Sequence, residues 1–434
     1  MRVALVTLGS RGDVQPFVCL ARALADRGHE VRVVAPRSGE AMARAADVPF
    51  RALPLDMQAL KRAEPAQRML AHGRVTSFVK WFQNEEKAFA VDLRRVLISE
   101  TESVDLIVSG VLVADRCEAI ATARQIPHVP LHLTPFIPSR SFPSALITQR
   151  GRWRHLGPLN YLSHQLVMEM IWRAHRDEVS AMRQELGVPP ALRLMARTIA
   201  RGEVPCLLGY SQTLFSTPGD WPTSVHPAGF FEPWPELRAQ LGEHGVPPEL
   251  DDWLQAGSAP VFLGFGSMPV LDGAGLLRTV RAMLAELGVR GILAAGWSEL
   301  DAASDDTLFV VGEVDHQSLL PRCAAAVHHG GAGTTHASLA AGTPTLICSV
   351  FADQPFWGSQ CRRLGVGTTF PFARLNARRL TDGLRAVLDG RVAAGAKEVA
   401  QRMAGEDGIG AAVAHLEHGL ESAPELAQGA GSLT

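Results

Sequence analysis

Short, continuous runs of apolar residues alternate along the chain with segments whose apolar residues recur at helical spacing. Residues 3–8 and 31–35 form two such runs, and residues 15–27 between them carry apolar side chains three or four positions apart. A short apolar run predicts a strand that is buried on both faces of a parallel sheet. The intervening segment predicts a helix that ends at Gly28. The order strand, helix, strand indicates a doubly wound α/β domain.

A second alternating series begins past the middle of the chain. Its first apolar run, residues 261–265, precedes a helical pattern over residues 276–287. Further strand-like runs follow at residues 291–295, 308–311, 324–327 and 345–348. Two α/β domains in one chain leave a cleft between the carboxyl ends of two parallel sheets, which is where such sheets bind ligands.

The two series divide the chain into five parts. We predict an N-terminal Rossmann-like domain over 1–215, an interdomain linker over 216–250, a C-terminal Rossmann-like domain over 251–390, C-terminal helices over 391–420 and a disordered tail over 421–434. The linker is predicted because seven prolines crowd a stretch with little apolar periodicity. The tail is predicted because its residues are small and polar.

Composition and charge exclude several classes of function. The 434 residues carry a net charge of −2 and no run of Lys and Arg, which argues against a nucleic-acid partner. None of the six cysteines forms a Cys-x-x-Cys pair, so we expect reduced, structural thiols and a cytoplasmic protein. No apolar stretch reaches the roughly 18 residues that a transmembrane helix needs. Peripheral membrane contact and the choice between monomer and homodimer stay open.

Residues 327–335 combine two adjacent histidines, three glycines and two threonines at the end of a predicted strand. Glycines let the backbone approach a ligand closely, and a following helix offers free N–H groups and its positive dipole end to a phosphate. Thr334 adds a hydroxyl donor, and His329 adds an imidazole that can carry charge toward a departing diphosphate. The alternative is a turn that only connects strand and helix, with His328 packed beside it.

A second polar pair, Asp353 and Gln354, follows the next predicted strand. A carboxylate accepts hydrogen bonds from two hydroxyls, and an amide both donates and accepts. The pair therefore suits the neighbouring hydroxyls of a sugar. The alternative is that Asp353 only caps the following helix.

The segment from His329 to Gln354 resembles the donor-binding signature of family 1 glycosyltransferases, in which His, glycines and Thr/Ser are followed farther on by Asp/Gln. The resemblance extends over almost the whole chain. It implies the GT-B fold, in which two doubly wound Rossmann-like domains face each other across a cleft, and an inverting hexosyltransferase that uses a nucleotide sugar. The residues it implies for the donor diphosphate are Ser267, His329, Gly331, Gly333 and Thr334, and those for the donor sugar are Asp353 and Gln354.

The resemblance also implies where the nucleoside of the donor binds. Residues 313–317 are similar to the segment that lies against the base, with Val314 and Gln317 as contacts. Plant members of the family carry Trp where this chain has Val314, and a ribose-binding Glu where it has Ala337. Trp297 is the candidate for the missing stacking surface. The choice between UDP and dTDP therefore stays open.

Residues 9–16 resemble the loop that carries a catalytic Asp in bacterial glycopeptide-modifying glycosyltransferases and in the sterol glucosyltransferase branch. Transfer with inversion needs a base for the acceptor hydroxyl, and the resemblance implies that Asp13 is this base. Ser10 and Arg11 are candidate contacts to phosphate or acceptor. The alternative, that Asp13 caps the first helix, is compatible with catalysis.

No two Asp residues lie two positions apart, so the Asp-x-Asp motif of metal-dependent sugar transferases is absent from the sequence. We therefore expect no metal and no cofactor other than the nucleotide-sugar co-substrate. A helix dipole, backbone N–H groups and His329 are expected to stabilise the departing diphosphate instead.

The N-terminal domain is expected to bind the acceptor, because the second domain carries the donor motifs. Residues 157–164 and 183–190 resemble stretches of the sterol glucosyltransferase branch, which favours a lipophilic natural product, polyketide, sterol-like or aromatic alcohol. The large apolar residues of this domain suit a core at helical spacing, and some are candidates to line a pocket. They are Phe78, Trp81, Phe82, Phe89, Phe136, Phe142, Met168 and Trp172.

Two other functions on the same fold stay open at this point. One is a nucleotide-sugar epimerase, which would need its own acid/base pair at the sugar, and the sequence offers no such pair beyond Asp13. The other is a non-catalytic, nucleotide-sugar-binding partner protein. The presence of Asp13, His329, Asp353 and Gln354 argues against a loss of catalysis.

Overall fold

In a computed structural model, the chain forms two α/β domains, each built on one parallel sheet. The structure describes residues 1–55, 59–60, 63–71, 74–146, 156–241, 245–265, 273–294, 304–312 and 314–421. Two doubly wound sheets with helices packed on them confirm the predicted fold class.

The first sheet has seven parallel strands. They are β1 (Arg2–Val6), β2 (Glu30–Pro36), β3 (Phe50–Leu53), β4 (Leu106–Gly110), β5 (His128–His132), β6 (Cys206–Leu208) and β7 (Val225–Pro227). The helices of this domain are α1 (Arg11–Asp26), α2 (Glu40–Ala45), α3 (Glu64–Ala71), α4 (Val75–Glu100), α5 (Ala114–Arg124), α6 (Pro158–Glu185) and α7 (Met195–Ala200). The strand order is β3-β2-β1-β4-β5-β6-β7, so the winding reverses between β1 and β4.

The second sheet has six parallel strands and the same kind of reversal. They are β8 (Val261–Gly264), β9 (Gly291–Ala294), β10 (Leu308–Val311), β11 (Ala325–His328), β12 (Thr345–Ser349) and β13 (Gly367–Pro371). The order β10-β9-β8-β11-β12-β13 places the reversal between β8 and β11. The loops after β1 and β11 thus leave the switch points of the two sheets, where ligands of such sheets bind.

The remaining helices lie between the two sheets, alternate with the strands of the second sheet or follow its last strand. They are α8 (Pro235–Gln240), α9 (Pro248–Gln255), α10 (Gly273–Leu287), α11 (His316–Leu319), α12 (Ala332–Ala340), α13 (Gln354–Arg363), α14 (Ala377–Val387), α15 (Gly390–Met403) and α16 (Gly408–Glu421). Short 3₁₀ turns occur at Arg37–Gly39, Leu320–Arg322 and Phe372–Arg374.

The predicted linker, residues 216–250, is only partly a linker. Its strand β7 pairs in parallel with β6, so the first sheet extends beyond the predicted boundary at residue 215. Leu237 of α8 is buried in the core of the first domain, whereas Leu250 of α9 is buried in the second. The sequence does not predict β7, because a three-residue edge strand that ends in Pro is too short to show an alternation of apolar and polar residues.

The C-terminal helices, predicted over 391–420, pack on different domains. Helix α15 packs against α12 of the second domain, whereas α16 returns to α1 of the first. The residues of α16 that enter the first core are Ile409, Ala412, Val413 and Leu416, which lie on one helical face. Apart from Glu421, the predicted disordered tail 421–434 lies outside the described residues.

A buried aromatic cluster joins the two domains at the start of α13. The ring of Phe356 lies 5.1 Å from that of Phe215 and 6.1 Å from that of Phe142, measured between centroids. Trp357 lies 5.8 Å from Tyr210 in the same way. The first domain therefore packs against the helix that begins at Gln354.

All six cysteines are buried and carry free thiols, which matches the expectation of reduced, structural cysteines. Burial raises the pKa of the Cys117 thiol to about 12, so this thiol is protonated and unreactive at neutral pH. Among the helices that the structure describes, none is long and apolar enough to cross a membrane.

Candidate active site

Asp13 lies in the first turn of α1, in the loop that leaves the switch point of the first sheet. Ser10 is the N-terminal cap residue of this helix. The Asp13 Oδ2 atom accepts hydrogen bonds from the Ser10 backbone N–H at 2.8 Å and from the Ser10 hydroxyl at 3.3 Å. Asp13 therefore stabilises the start of α1, as the alternative interpretation held, and its role as a base stays a prediction.

The charge of Arg11 shows which part of the second domain lies near this loop. Its Nε donates to Gln15 Oε1 at 3.1 Å, and its side chain is exposed. Burial lowers the pKa of His316 in α11, and the positive charge of Arg11 lowers it further. Because such an effect requires proximity, the loop of Asp13 faces the second domain near residues 314–317.

The buried His328 fixes the backbone of the glycine-rich loop. Its Nδ1 accepts a hydrogen bond from the Gly330 N–H at 3.0 Å, which leaves the proton on Nε2 for Thr345 Oγ1 at 2.6 Å. Burial lowers the pKa of His328 well below its usual value, and nearby His329 and His316 add to this. His328 is therefore a neutral, structural residue.

Helix α12 begins at Ala332 with Gly331 as its cap. Gly333 and Thr334 thus lie in the first turn, whose N–H groups have no acceptor within the helix. Gly333 is exposed, and no atom lies within 4 Å of the place where its Cβ would be. Packing within the protein does not require glycine there, and the open space suits the close approach of a phosphate.

His329 lies at the same helix end. A Cβ on Gly331 would lie 2.7 Å from His329 Nε2, so the imidazole rests against this glycine. The structure therefore places His329 beside Gly331, at the helix end that also carries Gly333 and Thr334.

Residues 350–354 connect β12 to α13 and are here called the sugar turn, because they carry the predicted sugar contacts. Asp353 precedes α13, and Gln354 is its first residue. Asp353 Oδ2 accepts a hydrogen bond from the Trp357 indole N–H at 2.7 Å, and its side chain makes no cap bond to α13. Gln354 Oε1 accepts from the Val350 N–H at 2.7 Å. The residue before them, Ala352, has a φ of 56°. This left-handed conformation is costly for a residue other than glycine and is typical of functional turns.

The glycine-rich loop and this turn are in direct contact. A Cβ on Gly330, whose φ is +89°, would lie 3.2 Å from the carbonyl oxygen of Gln354 and 2.5 Å from Ile347 Cγ2. Only glycine allows the two backbones to approach this closely. The predicted diphosphate and sugar residues therefore form one continuous edge after β11 and β12.

The predicted nucleoside contacts lie close to the connection between the domains. The Gln317 amide donates a hydrogen bond to Glu232, in the segment that connects the two domains. His316, which was not predicted as a site residue, presents its ring edge-on to Phe262 of β8, with centroids 5.4 Å apart. Asp315 accepts from the Gln317 N–H and so caps α11.

Two predicted site residues, Ser267 and Trp297, lie outside the described residues, as does Glu313, the first residue of the predicted base-binding segment. Val314 is described, is half-buried and packs on the core beneath the second sheet.

An aromatic contact joins the two domains close to the sugar turn. The ring of Phe78 from α4 lies 5.5 Å from that of Phe351, edge-on. Among the large apolar residues proposed for the acceptor domain, Phe78, Phe142 and Met168 are buried and the other five are half-buried. Most of them thus contribute to the core, and Phe78 and Phe142 contribute to the contact with the second domain.

Two family models match the chain in the regions that carry these residues. The model described as the glycosyltransferase family 28 N-terminal domain matches residues 3–108, which contain the loop of Asp13. The model described as the C-terminal domain of erythromycin biosynthesis protein CIII-like proteins matches residues 285–416, which contain the glycine-rich loop and the sugar turn.

A relative of the same length extends the likeness to the whole chain. The chain is 32% identical over 430 residues to O-mycaminosyltylonolide 6-deoxyallosyltransferase of Streptomyces fradiae, which covers 97% of this chain and 98% of that protein. This chain belongs to the family 1 glycosyltransferases of the GT-B fold. Membership makes it a transferase enzyme, rather than an epimerase or a non-catalytic partner protein.

This glycosyltransferase is also similar to a sterol glucosyltransferase in sequence and to a solved glycosyltransferase in fold. It is 32% identical over 442 residues to a sterol 3-beta-glucosyltransferase of Arabidopsis thaliana, which covers 98% of this chain, and it spans 66% of that protein. The crystal structure of the glycosyltransferase VinC in complex with dTDP matches it with a TM-score of 0.66 at 20% identity, covering 96% of this chain and 99% of that one. The latter likeness concerns the fold alone.

Proposed function

We propose that this glycosyltransferase is inverting and metal-independent, and that it moves a hexose or deoxyhexose from a UDP- or dTDP-sugar to a hydroxyl of a lipophilic small molecule. The observation that carries the proposal is the contact between Gly330, in the loop that leads into α12, and Gln354 of the sugar turn. A diphosphate fits the open helix end, and a sugar's hydroxyls fit the carboxylate and amide beside it.

The relatives are named for the transfer of both sugar classes in the proposal. The Streptomyces fradiae protein is named for the transfer of a 6-deoxyallosyl group and the Arabidopsis protein for that of a glucosyl group. VinC was solved with dTDP. Asp353 accepts hydrogen bonds from sugar hydroxyls that a hexose and a deoxyhexose share, which is compatible with both classes.

In the proposed reaction, Asp13 takes the proton of the acceptor hydroxyl. The acceptor oxygen forms a bond to the anomeric carbon of the donor, on the face opposite the diphosphate, while the bond between that carbon and the phosphate oxygen breaks. The sugar's anomeric configuration inverts, and the nucleoside diphosphate leaves with the bonding electrons. Positioning of the two substrates supplies much of the rate in such a step.

The departing diphosphate gains negative charge, which the second domain is arranged to stabilise. The N–H groups of the first turn of α12 point toward it, and the helix dipole adds to their effect. His329 donates from its imidazole at the same helix end. These groups act without a metal ion, so treatment with a chelator should leave turnover unchanged.

The acceptor is proposed to bind in the first domain as a lipophilic alcohol. The names of the relatives point to a sterol in one case and to a macrolide lactone in the other. Phe351, half-buried against Phe78, supplies apolar surface beside the sugar turn. A lipophilic molecule that lies against it would bring its hydroxyl toward the donor sugar.

The test is product analysis with chelator-treated enzyme. UDP-glucose and a dTDP-deoxysugar are each incubated with sterols, macrolide aglycones and flavonoid alcohols, and the anomeric proton coupling of the product is read by NMR. The proposal expects a β-linked product from an α-linked donor. An α-linked product would overturn inversion, and loss of turnover with the chelator would overturn metal independence. Incubation without any acceptor should release no epimerised donor.

A further inference from the structure

The segment between the two sheets has one face in each domain. Phe231 and Leu237 are fully buried in the core of the first domain. Their sequence neighbours contact the second domain: Phe230 stacks on His336 of α12, with centroids 4.3 Å apart, and Arg238 pairs with Asp315. Residues 230–238, here called the strut, thus connect the acceptor domain to the donor half of the site.

The pair between Arg238 and Asp315 is the polar centre of this contact. The Nη2 atom of Arg238 donates to both carboxylate oxygens of Asp315 at 2.6 Å. The Asp315 side chain is 2% exposed and that of Arg238 is 16% exposed. The same carboxylate accepts from the Gln317 N–H at 3.0 Å and from the Ser318 hydroxyl. Asp315 therefore links the strut to the backbone of α11.

A carboxylate this well buried depends on its partners. Burial alone would raise the pKa of Asp315, but hydrogen bonds from Ser318 and Arg238 lower it, so the group is charged at neutral pH. Removing the cation would leave a buried charge without its counter-ion, which is strongly unfavourable. The backbone at Asp315 would then move to rehydrate the carboxylate, and it would displace Val314 and His316 on either side.

Val314 and His316 belong to the segment proposed to receive the nucleoside. We infer that Arg238 is a positioning residue for donor recognition, which holds this segment in its binding form from the first domain's side of the connection. The inference rests on the proposed function, since it assigns a role in binding the nucleoside of the donor. The glycine-rich loop that receives the diphosphate lies after β11 and is held by other contacts, namely the Gly330 N–H with His328 Nδ1 and the close approach of Gly330 to Gln354.

The test separates the nucleoside from the diphosphate. Calorimetry measures the Kd of UDP, dTDP and inorganic pyrophosphate for the wild type, for R238Q and for R281Q. Arg281 forms a comparable pair with Asp305 at 2.6 Å in the same domain, but this pair is exposed and makes a matched control. R238Q is expected to raise the Kd of the preferred nucleotide about tenfold, which is about 1.4 kcal/mol, with pyrophosphate unchanged. R281Q should alter neither.

Two further variants keep the inference testable if R238Q folds poorly. Because a single nitrogen makes both contacts, R238K should recover much of the nucleotide affinity. The double variant R238Q/D315N removes the buried charge together with its partner, so it should fold. Because it also removes the link between the strut and residues 314–317, its Kd for the nucleotide should stay above the wild-type value, by less than in R238Q.

An equal loss of nucleotide and pyrophosphate affinity would overturn the inference, as would a nucleotide Kd unchanged in R238Q. A wild type that binds no nucleotide would instead overturn the proposed function. The two failures are therefore distinguishable in one set of titrations.

Discussion

The carboxylate of Asp13 rests directly on Gly9. A Cβ at Gly9 would lie 2.2 Å from Asp13 Oδ2, and the φ of Gly9 is +148°. No side chain fits between the two residues, so Gly9 determines where the proposed base lies. The position of Asp13 is therefore set by the strand that precedes it as well as by its own helix.

Gly9→Ala should displace Asp13 and slow transfer. Because a shift of about 1 Å in a reacting group can cost on the order of a hundredfold in rate, we expect kcat to fall by about that factor. The Kd of the donor nucleotide should stay unchanged, since the second domain is untouched. Steady-state kinetics and calorimetry on the same preparation check both expectations.

Gly12→Ala is the matched control for this change. Gly12 lies in the first turn of α1, and nothing lies within 4 Å of its would-be Cβ. The φ of Gly12 is not positive, so Ala fits there without backbone strain. We expect wild-type kcat in this variant. An equal loss of kcat in both variants would mean that the loop, and not the position of Asp13, governs the rate.

Asp13→Asn should retain the donor and lose the reaction. An Asn side chain can keep the hydrogen bonds to other groups of the loop, but it cannot take the proton of the acceptor hydroxyl. We expect kcat to fall by about 10² to 10⁴, the usual contribution of a general base. Single-turnover measurement of sugar transfer at saturating donor tests this. Turnover close to wild type would remove Asp13 as the base.

Gly333→Ala should separate stability from diphosphate binding. Ala favours helix over Gly by up to about 1 kcal/mol, and no protein atom lies in the way at residue 333. We therefore expect an unchanged or higher thermal midpoint together with a nucleotide Kd that rises about tenfold, because the methyl group meets the phosphate. Gly390→Ala, at the exposed start of α15, should show the same stability with unchanged binding.

The pH dependence of stability should reflect five buried histidines. Burial lowers the pKa of His128 to about 3 and that of His132, His164 and His336 to about 4, and it lowers the pKa of His328 well below its usual value. In the unfolded chain these groups titrate near the ordinary pKa of about 6.5. Between pH 6.5 and 5 the unfolded state therefore binds more protons, so the free energy of unfolding falls as the pH falls.

Urea titrations at pH 7, 6 and 5 check this expectation. Unfolding at pH 5 to 6 should take up roughly four to five protons at these histidines, and each proton corresponds to about 1.4 kcal/mol per pH unit. A free energy of unfolding that stays flat from pH 6.5 to 5 would contradict the buried, neutral state of these side chains. Burial raises the pKa of Asp115 to about 6, so this carboxyl binds up to about one proton in the folded state and lowers the net uptake by that amount.

The sequence predicted those parts of the fold that depend on local pattern. The buried strands and the helices between them have short-range periodicity. The glycines after β11 predict that the backbone comes close to other groups, as it does at Gly330 and Gly331. His329, Gly333, Asp353 and Gln354 are candidate site residues because they follow strands of one predicted sheet and because their segment resembles the donor-binding signature of family 1 glycosyltransferases.

The sequence did not predict those parts that depend on which surfaces meet. The apolar face of α16 is readable from its spacing, but the spacing does not say that Ile409 and Val413 pack on the first domain. The pairing of Arg238 with Asp315 joins residues far apart in the chain, and neither has a local signature. Likewise, the side chain of Gln317 is directed to Glu232 by the tertiary arrangement, and His316 was missed for the same reason.

The most direct test of the central claim is a calorimetric titration of UDP and dTDP into the wild type and into His329→Ala. We predict that the wild type binds one of the two nucleotides. We also predict that the variant binds this nucleotide about tenfold or more weakly, since a hydrogen bond to a charged group contributes about 1.5–3 kcal/mol. Absence of binding to the wild type, or an equal Kd for the two proteins, would contradict a donor site at the start of α12.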